Sequence, residues 1–128
     1  MKFNFVRKKI LSFKKLDDGW NGFNGSKSFS KNEIERAINF LDFLEKKDIP
    51  SILVNGFQHS FHVEPLYDGV IEFELKISGY QILFNFIENG DFDCEIYCKN
   101  KLERKMRIEM KSFLDDIFRF IDVSKKYG

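Results

Sequence analysis

Long apolar runs are missing from this chain, and cysteine and proline are scarce, with two of each in 128 residues. No stretch approaches the roughly 20 apolar residues that a membrane-spanning helix requires. The N-terminal residues also lack the apolar core of a secretion signal. These absences argue against an integral membrane protein and a disulfide-stabilised secreted one. We therefore expect a soluble, cytoplasmic protein that makes no membrane contact.

The two cysteines lack the spacing of a disulfide or a metal site. Cys94 and Cys98 fall on one side of one predicted strand, about 13 Å apart, whereas a disulfide needs Cα atoms within about 7 Å. With His59 and His62 they supply ligand types that zinc prefers, but the short Cys-x-x-Cys turn that converges on the ion is absent. We predict two reduced cysteines, no metal and no cofactor.

Catalytic motifs are also lacking. The sequence shows no pattern of a catalytic triad, no glycine-rich phosphate loop and no pair of groups poised for acid–base chemistry, so we predict that the protein is not an enzyme. Phenylalanine is what the chain has in excess, with 16 residues. The length suits a single domain, residues 1–128, built on a phenylalanine-rich core.

Helical periodicity is found in the first part of the chain. The apolar residues of the first segment recur at helical spacing: Phe5, Val6, Ile10, Phe13 and Leu16. They predict an amphipathic helix with a basic outer face. After a glycine-rich connection at residues 17–28, Ser30 and Glu33 have the spacing of a helix-capping box, which predicts that a second helix starts at Ser30.

Residues 61–99 change to a period of two, with turn signals that divide them into four strands. Ser78-Gly79 predicts a two-residue turn. The next hairpin needs a three-residue loop with Gly90 in the left-handed position of a bulge, because this register pairs Phe86 with Phe92 and keeps the apolar residues on one side. Residues 102–123 return to helical spacing. The predicted fold is α+β, a four-stranded antiparallel meander with N-terminal and C-terminal helices packed on one face.

Two short motifs carry a resemblance. Residues 19–23 read Gly-Trp-Asn-Gly-Phe, and residues 68–73, beyond the capped helix, read Asp-Gly-Val-Ile-Glu-Phe. The chain thereby resembles small uncharacterised bacterial and phage proteins with a Gly-Trp-Asp-Gly-Tyr motif, a helix and an antiparallel sheet. Asn21 stands where that motif has Asp, and Phe23 where it has Tyr. The resemblance implies a fold and a mobile-element setting, and brings no catalytic residues with it.

Three residues of the turns are predicted to be structural. The glycines on either side of Trp20 allow a tight turn, while the rings of Trp20 and Phe23 anchor the loop on the core. Stacking of these rings on a ligand is the alternative. Gly90 is assigned to structure because its predicted conformation has a positive φ.

Charge is segregated along the chain although the net charge is only +1. Residues 1–16 carry six basic residues and no acid, whereas residues 64–95 carry eight acids and one lysine. The predicted register gathers seven residues on the outer side of the sheet as a candidate partner-binding surface: Glu72, Glu74, Leu83, Asn85, Asp93, Glu95 and Tyr97. An ordinary solvated sheet face is the plainer interpretation.

The functional hypothesis is a non-enzymatic protein-binding module from a phage or mobile element. It would inhibit a host defence nuclease, as an anti-CRISPR protein does, with the acidic sheet face bound to a basic surface on its protein partner. An antitoxin or immunity protein is one alternative. Another is an RNA-binding regulator that contacts phosphates through the first helix, with these candidate residues: Arg7, Lys8, Lys9, Lys14 and Lys15. The oligomeric state is left open.

Overall fold

A computed structural model describes residues 1–22 and 25–127, with side chains through residue 124. Within that part of the chain there are four α-helices and five β-strands. The helices are α1 (Asn4–Ser12), α2 (Lys31–Glu45), α3 (Ser51–His59) and α4 (Phe113–Tyr127). The strands are β1 (Phe61–Pro65), β2 (Ile71–Ile77), β3 (Tyr80–Phe86), β4 (Phe92–Cys98) and β5 (Lys101–Ile108). None of the described helices is long and apolar enough to cross a membrane.

The strands form one antiparallel sheet in the order β1-β2-β3-β4-β5. The predicted α+β class is confirmed, but the predicted count of four strands is wrong. The prediction that the last helix begins at Leu102 is also wrong, because residues 101–108 form β5 and α4 begins at Phe113. Lys99 and Asn100 make the tight turn before it, with φ of 51° and 66°, and positive φ at both positions is the geometry that closes a two-residue hairpin.

The predicted register of the β3–β4 hairpin is confirmed. Phe86 pairs with Phe92, and the ladder continues through Phe84 and Cys94. Gly90 has a φ of +90°, and its N–H donates to the carbonyl of Ile87 at 3.0 Å. A three-residue loop therefore sets which side chains face the core.

The described residues form two compact units. The first comprises Met1–Lys47 and His62–Phe73, and the second Asp48–Phe61 and Glu74–Gly128. In the first unit α1 buries Val6 and Ile10, and Phe3, which directly precedes the helix, is buried as well. The prediction that Phe5 belongs to the buried stripe is wrong, because its side chain is 80% exposed. Consecutive helical residues point about 100° apart, so the stripe that holds Val6 cannot also hold Phe5.

The capped start of α2 is confirmed, because the Ser30 hydroxyl accepts the N–H of Glu33 at 3.0 Å. Glu33 is itself buried, with 5% of the residue exposed. Its Oε1 accepts the N–H of Ile71 at 3.0 Å, and its Oε2 accepts Nη2 of Arg36 at 2.8 Å. Glu33 thus ties the first turn of α2 to the start of β2, and Phe40 continues this contact by packing edge-on against Phe73.

Trp20 lies in the loop between α1 and α2, where its side chain is half-buried. Its indole N–H donates to the carbonyl of Lys27 at 2.8 Å. Its ring lies 6.2 Å from that of Phe29, which in turn stacks on Phe13 at 5.3 Å. Trp20 therefore contacts the loop and the edge of the core together. The other ring assigned to this role, Phe23, lies outside the described residues.

In the second unit, Gly56 and Phe113 are among the residues through which helices pack against strands. A Cβ atom on Gly56 of α3 would lie 2.5 Å from Cγ1 of Ile77, so the missing side chain allows α3 to approach β2 closely. Phe113 of α4 is fully buried, with its ring 4.5 Å from that of Phe84 and 5.4 Å from that of Phe92. These contacts cover the inner side of β3 and β4. The other side of these two strands faces outward.

Candidate binding site on the outer sheet face

Alternation along the strands separates a buried side from a solvent-facing side. In β3 and β4 the buried residues include Ile82, Phe84, Cys94 and Ile96. The residues between them point the other way. We call the outward-facing residues of β2–β5 in the second unit the outer sheet face: Glu74, Lys76, Gln81, Leu83, Asn85, Asp93, Glu95, Tyr97, Leu102, Lys105 and Arg107.

Six of the seven predicted partner-binding residues lie on this face. Leu83 pairs with Glu95, and Asn85 pairs with Asp93. The two-residue turn at Ser78 and Gly79, with φ of 52° and 83°, places Glu74 opposite Leu83. Tyr97 pairs with Gln81. Glu72 belongs to the first unit, where it is half-buried in β2, two residues before Glu74.

Hydrogen bonds hold two of the carboxylates on the outer sheet face. Gln81 Nε2 donates to Oε2 of Glu74 at 2.7 Å, and Lys76 Nζ lies 4.0 Å from Oε1 of the same group. The Tyr97 hydroxyl donates to Oε2 of Glu95 at 3.0 Å. Because these side chains are already oriented, a partner that contacts them would lose less conformational entropy on binding.

Strand β5 changes the charge of the predicted surface. A bulge between Ile96 and Tyr97 of β4 shifts the register, so that Lys105 pairs with Glu95 and Arg107 pairs with Asp93. The second unit therefore presents three carboxylates and three cations on the outer sheet face. The expectation of an acidic face is wrong in this respect, since the missed strand places opposite charges across from two of the acids.

Apolar side chains run diagonally through these charges. Leu83 is half-buried on β3, Tyr97 lies on the neighbouring strand, and Leu102 of β5 pairs with Tyr97. Leu102 is 46% exposed. Diagonal neighbours on adjacent strands are close enough for side chains of this size to touch. We call these three residues the apolar diagonal.

A concavity of about 350 Å³ lies where the outer sheet face meets its two tight turns. Lys76 and Lys99 line it together with the amide side chains of Gln81 and Asn100 and the ring of Tyr97. It extends the face with hydrogen-bond donors next to the apolar diagonal. A partner side chain that carries a carboxylate fits this chemistry.

The basic helix predicted for nucleic-acid contact uses part of its charge internally. Arg7 forms ion pairs with Glu45 and, at 2.9 Å, with Asp42, and the hydrogen bond that Arg7 donates to Glu45 is the largest cause that raises the pKa of Arg7. Lys9 Nζ lies 3.0 Å from Oε1 of Glu64. The remaining three candidates are exposed: Lys8, Lys14 and Lys15.

The residues considered for zinc do not come together. Cys94 is buried and Cys98 is half-buried, while His59 and His62 are exposed. Among the residues the structure describes, no three histidine, cysteine or acidic side chains cluster as a metal site would require. Burial raises the pKa of Cys94 to about 12, so this thiol is not a nucleophile near neutral pH.

The contrast between the cysteines gives the first prediction. In the folded protein at pH 8, iodoacetamide should alkylate Cys98 and spare Cys94, while both should react in guanidinium; peptide mass spectrometry reads the two sites separately. The raised pKa of Cys94 also stabilises the fold below pH 9.0, and this contribution is lost as the pH rises toward about 12. The stability lost in Cys94→Ala relative to the wild type should therefore shrink over that range. Fast labelling of native Cys94 would contradict its burial.

No protein-family model, curated protein or solved structure matches this chain. The likeness of residues 19–23 to the Gly-Trp-Asp-Gly-Tyr proteins therefore stays a prediction. The function has to be inferred from the outer sheet face itself.

Proposed function

We propose that the protein is a non-enzymatic protein-binding module and that the outer sheet face is its contact surface. The apolar diagonal is the observation that carries this proposal. Leu83, Tyr97 and Leu102 occupy neighbouring positions on three adjacent strands, and charged residues of the same face lie beside them. Protein interfaces combine such a centre with a polar rim, and a few central residues supply most of the binding energy.

The outer sheet face carries acidic and basic residues in equal number, and this balance indicates which charges its partner would carry. Asp93 and Glu95 favour basic residues on the partner, whereas Lys105 and Arg107 favour acidic ones, so the complementary surface carries both signs. Inhibition of a host defence nuclease remains the specific function we propose, supported by the mobile-element setting that the motif at residues 19–23 implies. The module would act by covering part of the nuclease surface and would not need to imitate a line of phosphates.

The second prediction tests this surface with one leucine inside it and one outside it. Leu83→Arg should weaken partner binding by about 2 kcal/mol or more, because it replaces one of the three residues of the apolar diagonal with a charged one. Leu11→Arg makes the same change at an exposed position of α1 and should leave binding unchanged. Both variants should melt near the wild-type temperature, because neither leucine is fully buried.

The measurement is a cleavage assay with purified CRISPR effector nucleases, together with affinity capture from the native host and mass spectrometry. Loss of inhibition or capture in Leu83→Arg alone supports the proposal. If Leu83→Arg binds as well as the wild type, the outer sheet face is not the contact surface. RNA binding through the basic N-terminal segment is the competing function, and a loss caused by Lys8→Ala in α1 with Lys14→Ala just after it would favour it. The internal ion pairs of Arg7 and Lys9 weaken that alternative, because charges already paired contribute less to phosphate contacts.

A further inference from the structure

We infer that the outer edge of β5 is a second binding site, which takes an acidic, extended segment of a partner protein as an added strand. This site is separate from the outer sheet face, because it uses backbone groups along an edge together with side chains on the α4 side of the sheet. It adds a second point of contact to the module proposed above.

The position of β5 supplies the backbone half of the site. In the described part of the chain, β5 pairs with β4 and ends the sheet. A strand in that position presents unpaired N–H and C=O groups to which another strand can add. Glu103 is the extra residue of the bulge, opposite no residue of β4. Residues 104–108 therefore form the regular stretch along which an added strand would pair.

The charges of β5 determine which kind of strand would add to its edge. β5 carries Lys101, Arg104, Lys105 and Arg107 against one acid, Glu103. A second copy of this chain would bring an equally basic strand alongside, and like charges on neighbouring strands are destabilising. An acidic segment would instead be attracted and oriented by these cations, above all by Lys101 and Arg104, which lie opposite the uncharged Cys98 and Ile96 of β4. The edge thus favours an acidic partner over self-association.

A cavity between β5 and α4 supplies the side-chain half of the site. It has a volume of about 300 Å³ and is lined by Arg104, Met106, Asp116, Arg119, Phe120, Val123 and Ser124. The Phe120 ring is held by Tyr80, with the centroids 5.2 Å apart, and the Arg104 guanidinium lies 6.0 Å from its centroid. The cavity lining therefore combines apolar and aromatic side chains with two arginines and one acid, Asp116, whose Oδ2 accepts the Ser112 hydroxyl at 2.9 Å.

Alternation along an added strand matches this cavity. Every second side chain of the strand would point to the α4 side, where an apolar residue can contact Phe120 and Val123. Acidic residues near it would meet Arg104 and Arg119. The segment we expect is therefore extended and alternates apolar with acidic residues. Backbone pairing would contribute affinity, while the cavity would contribute specificity.

The third prediction uses a defined probe. A fluorescein-labelled octapeptide that alternates valine and glutamate should bind the full chain in a fluorescence-polarisation titration, and a valine–lysine octapeptide should not. N-methylation of one of the two sets of alternate amides should weaken binding at least about tenfold, because those amides would pair with β5. Arg104→Glu with Arg119→Glu should weaken it by at least a similar factor. Lys8→Glu and Leu83→Arg should retain the wild-type affinity.

Several results would overturn this inference. No binding of the valine–glutamate peptide at millimolar concentration would do so, as would equal binding of both N-methylated forms. If a single-stranded RNA of 20 nucleotides binds more tightly than the valine–glutamate peptide, and the double arginine variant loses this binding, the cavity is a nucleic-acid site instead. Dimerisation of the free chain in sedimentation, abolished by that variant, would make β5 a self-association edge. Unchanged melting temperatures are required of each variant, so that a folding defect is not read as lost binding.

Discussion

Glu33→Ala is expected to lower the free energy of unfolding by about 3 kcal/mol. The carboxylate is buried and accepts hydrogen bonds from the Ile71 N–H and from Arg36. Alanine would leave the Ile71 N–H without this acceptor and would remove a charged partner from Arg36. An unsatisfied buried donor and a disrupted buried ion pair are each costly, so this single change acts twice.

Two matched variants separate charge from hydrogen bonding. Glu33→Gln keeps an acceptor oxygen in place and should lose about half as much stability as Glu33→Ala. Glu35→Ala removes a carboxylate from the same helix, but this group is exposed and lies 3.8 Å from Lys31, so its loss should cost less than about 0.5 kcal/mol. Urea denaturation measures all three. Equal stabilities of Glu33→Ala and Glu35→Ala would contradict a stabilising role for the contact that Glu33 makes between α2 and β2.

Phe113→Ala is expected to cost about 3–5 kcal/mol. The ring is fully buried and contacts Phe84 and Phe92, so alanine leaves a cavity where α4 meets the inner side of the hairpin. Phe118→Ala is the same chemical change on the same helix, at a side chain that is 38% exposed, and should cost well under half as much. Chemical denaturation compares them, and similar losses would mean that α4 packs through another face.

Sequence patterns predicted the β3–β4 hairpin because two signals agreed there. Phe92, Cys94 and Ile96 required one register to reach the buried side, and Gly90 allowed the loop that this register needs. No such agreement marked β5. Its turn uses Lys99 and Asn100 where glycine is usual, and the bulge at Glu103 breaks the alternation from which a strand is predicted.

Other differences have local causes. No element was predicted for residues 51–59, where Ile52, Leu53 and Val54 form an apolar run too short to show helical spacing and Gly56 lies within α3. The close packing of α3 against Ile77 explains the glycine at position 56. This is a tertiary contact, which the local sequence does not reveal. The first helix was predicted, but it buries Val6 and Ile10 and leaves Phe5 in solvent.

The sequence predicted those residues of the candidate site whose positions follow from the predicted strand register. Leu83, Asp93 and Glu95 followed from the two hairpins, whereas Leu102, Lys105 and Arg107 depended on the missed strand. Their signal was present in the alternation of Lys105 and Arg107 with Met106 and Ile108. The pairing of Arg7 and Lys9 with distant acids could not be predicted, because it depends on how helices and strands come together.

Alternation in β3 has a consequence for how this protein can evolve. Ile82, Phe84 and Phe86 are buried, while Gln81, Leu83 and Asn85 face outward between them. Substitutions at outward positions usually change stability by less than about 0.5 kcal/mol. The outward residues can therefore diverge while the fold persists, so a lineage can vary the proposed contact surface one residue at a time without passing through unfolded intermediates.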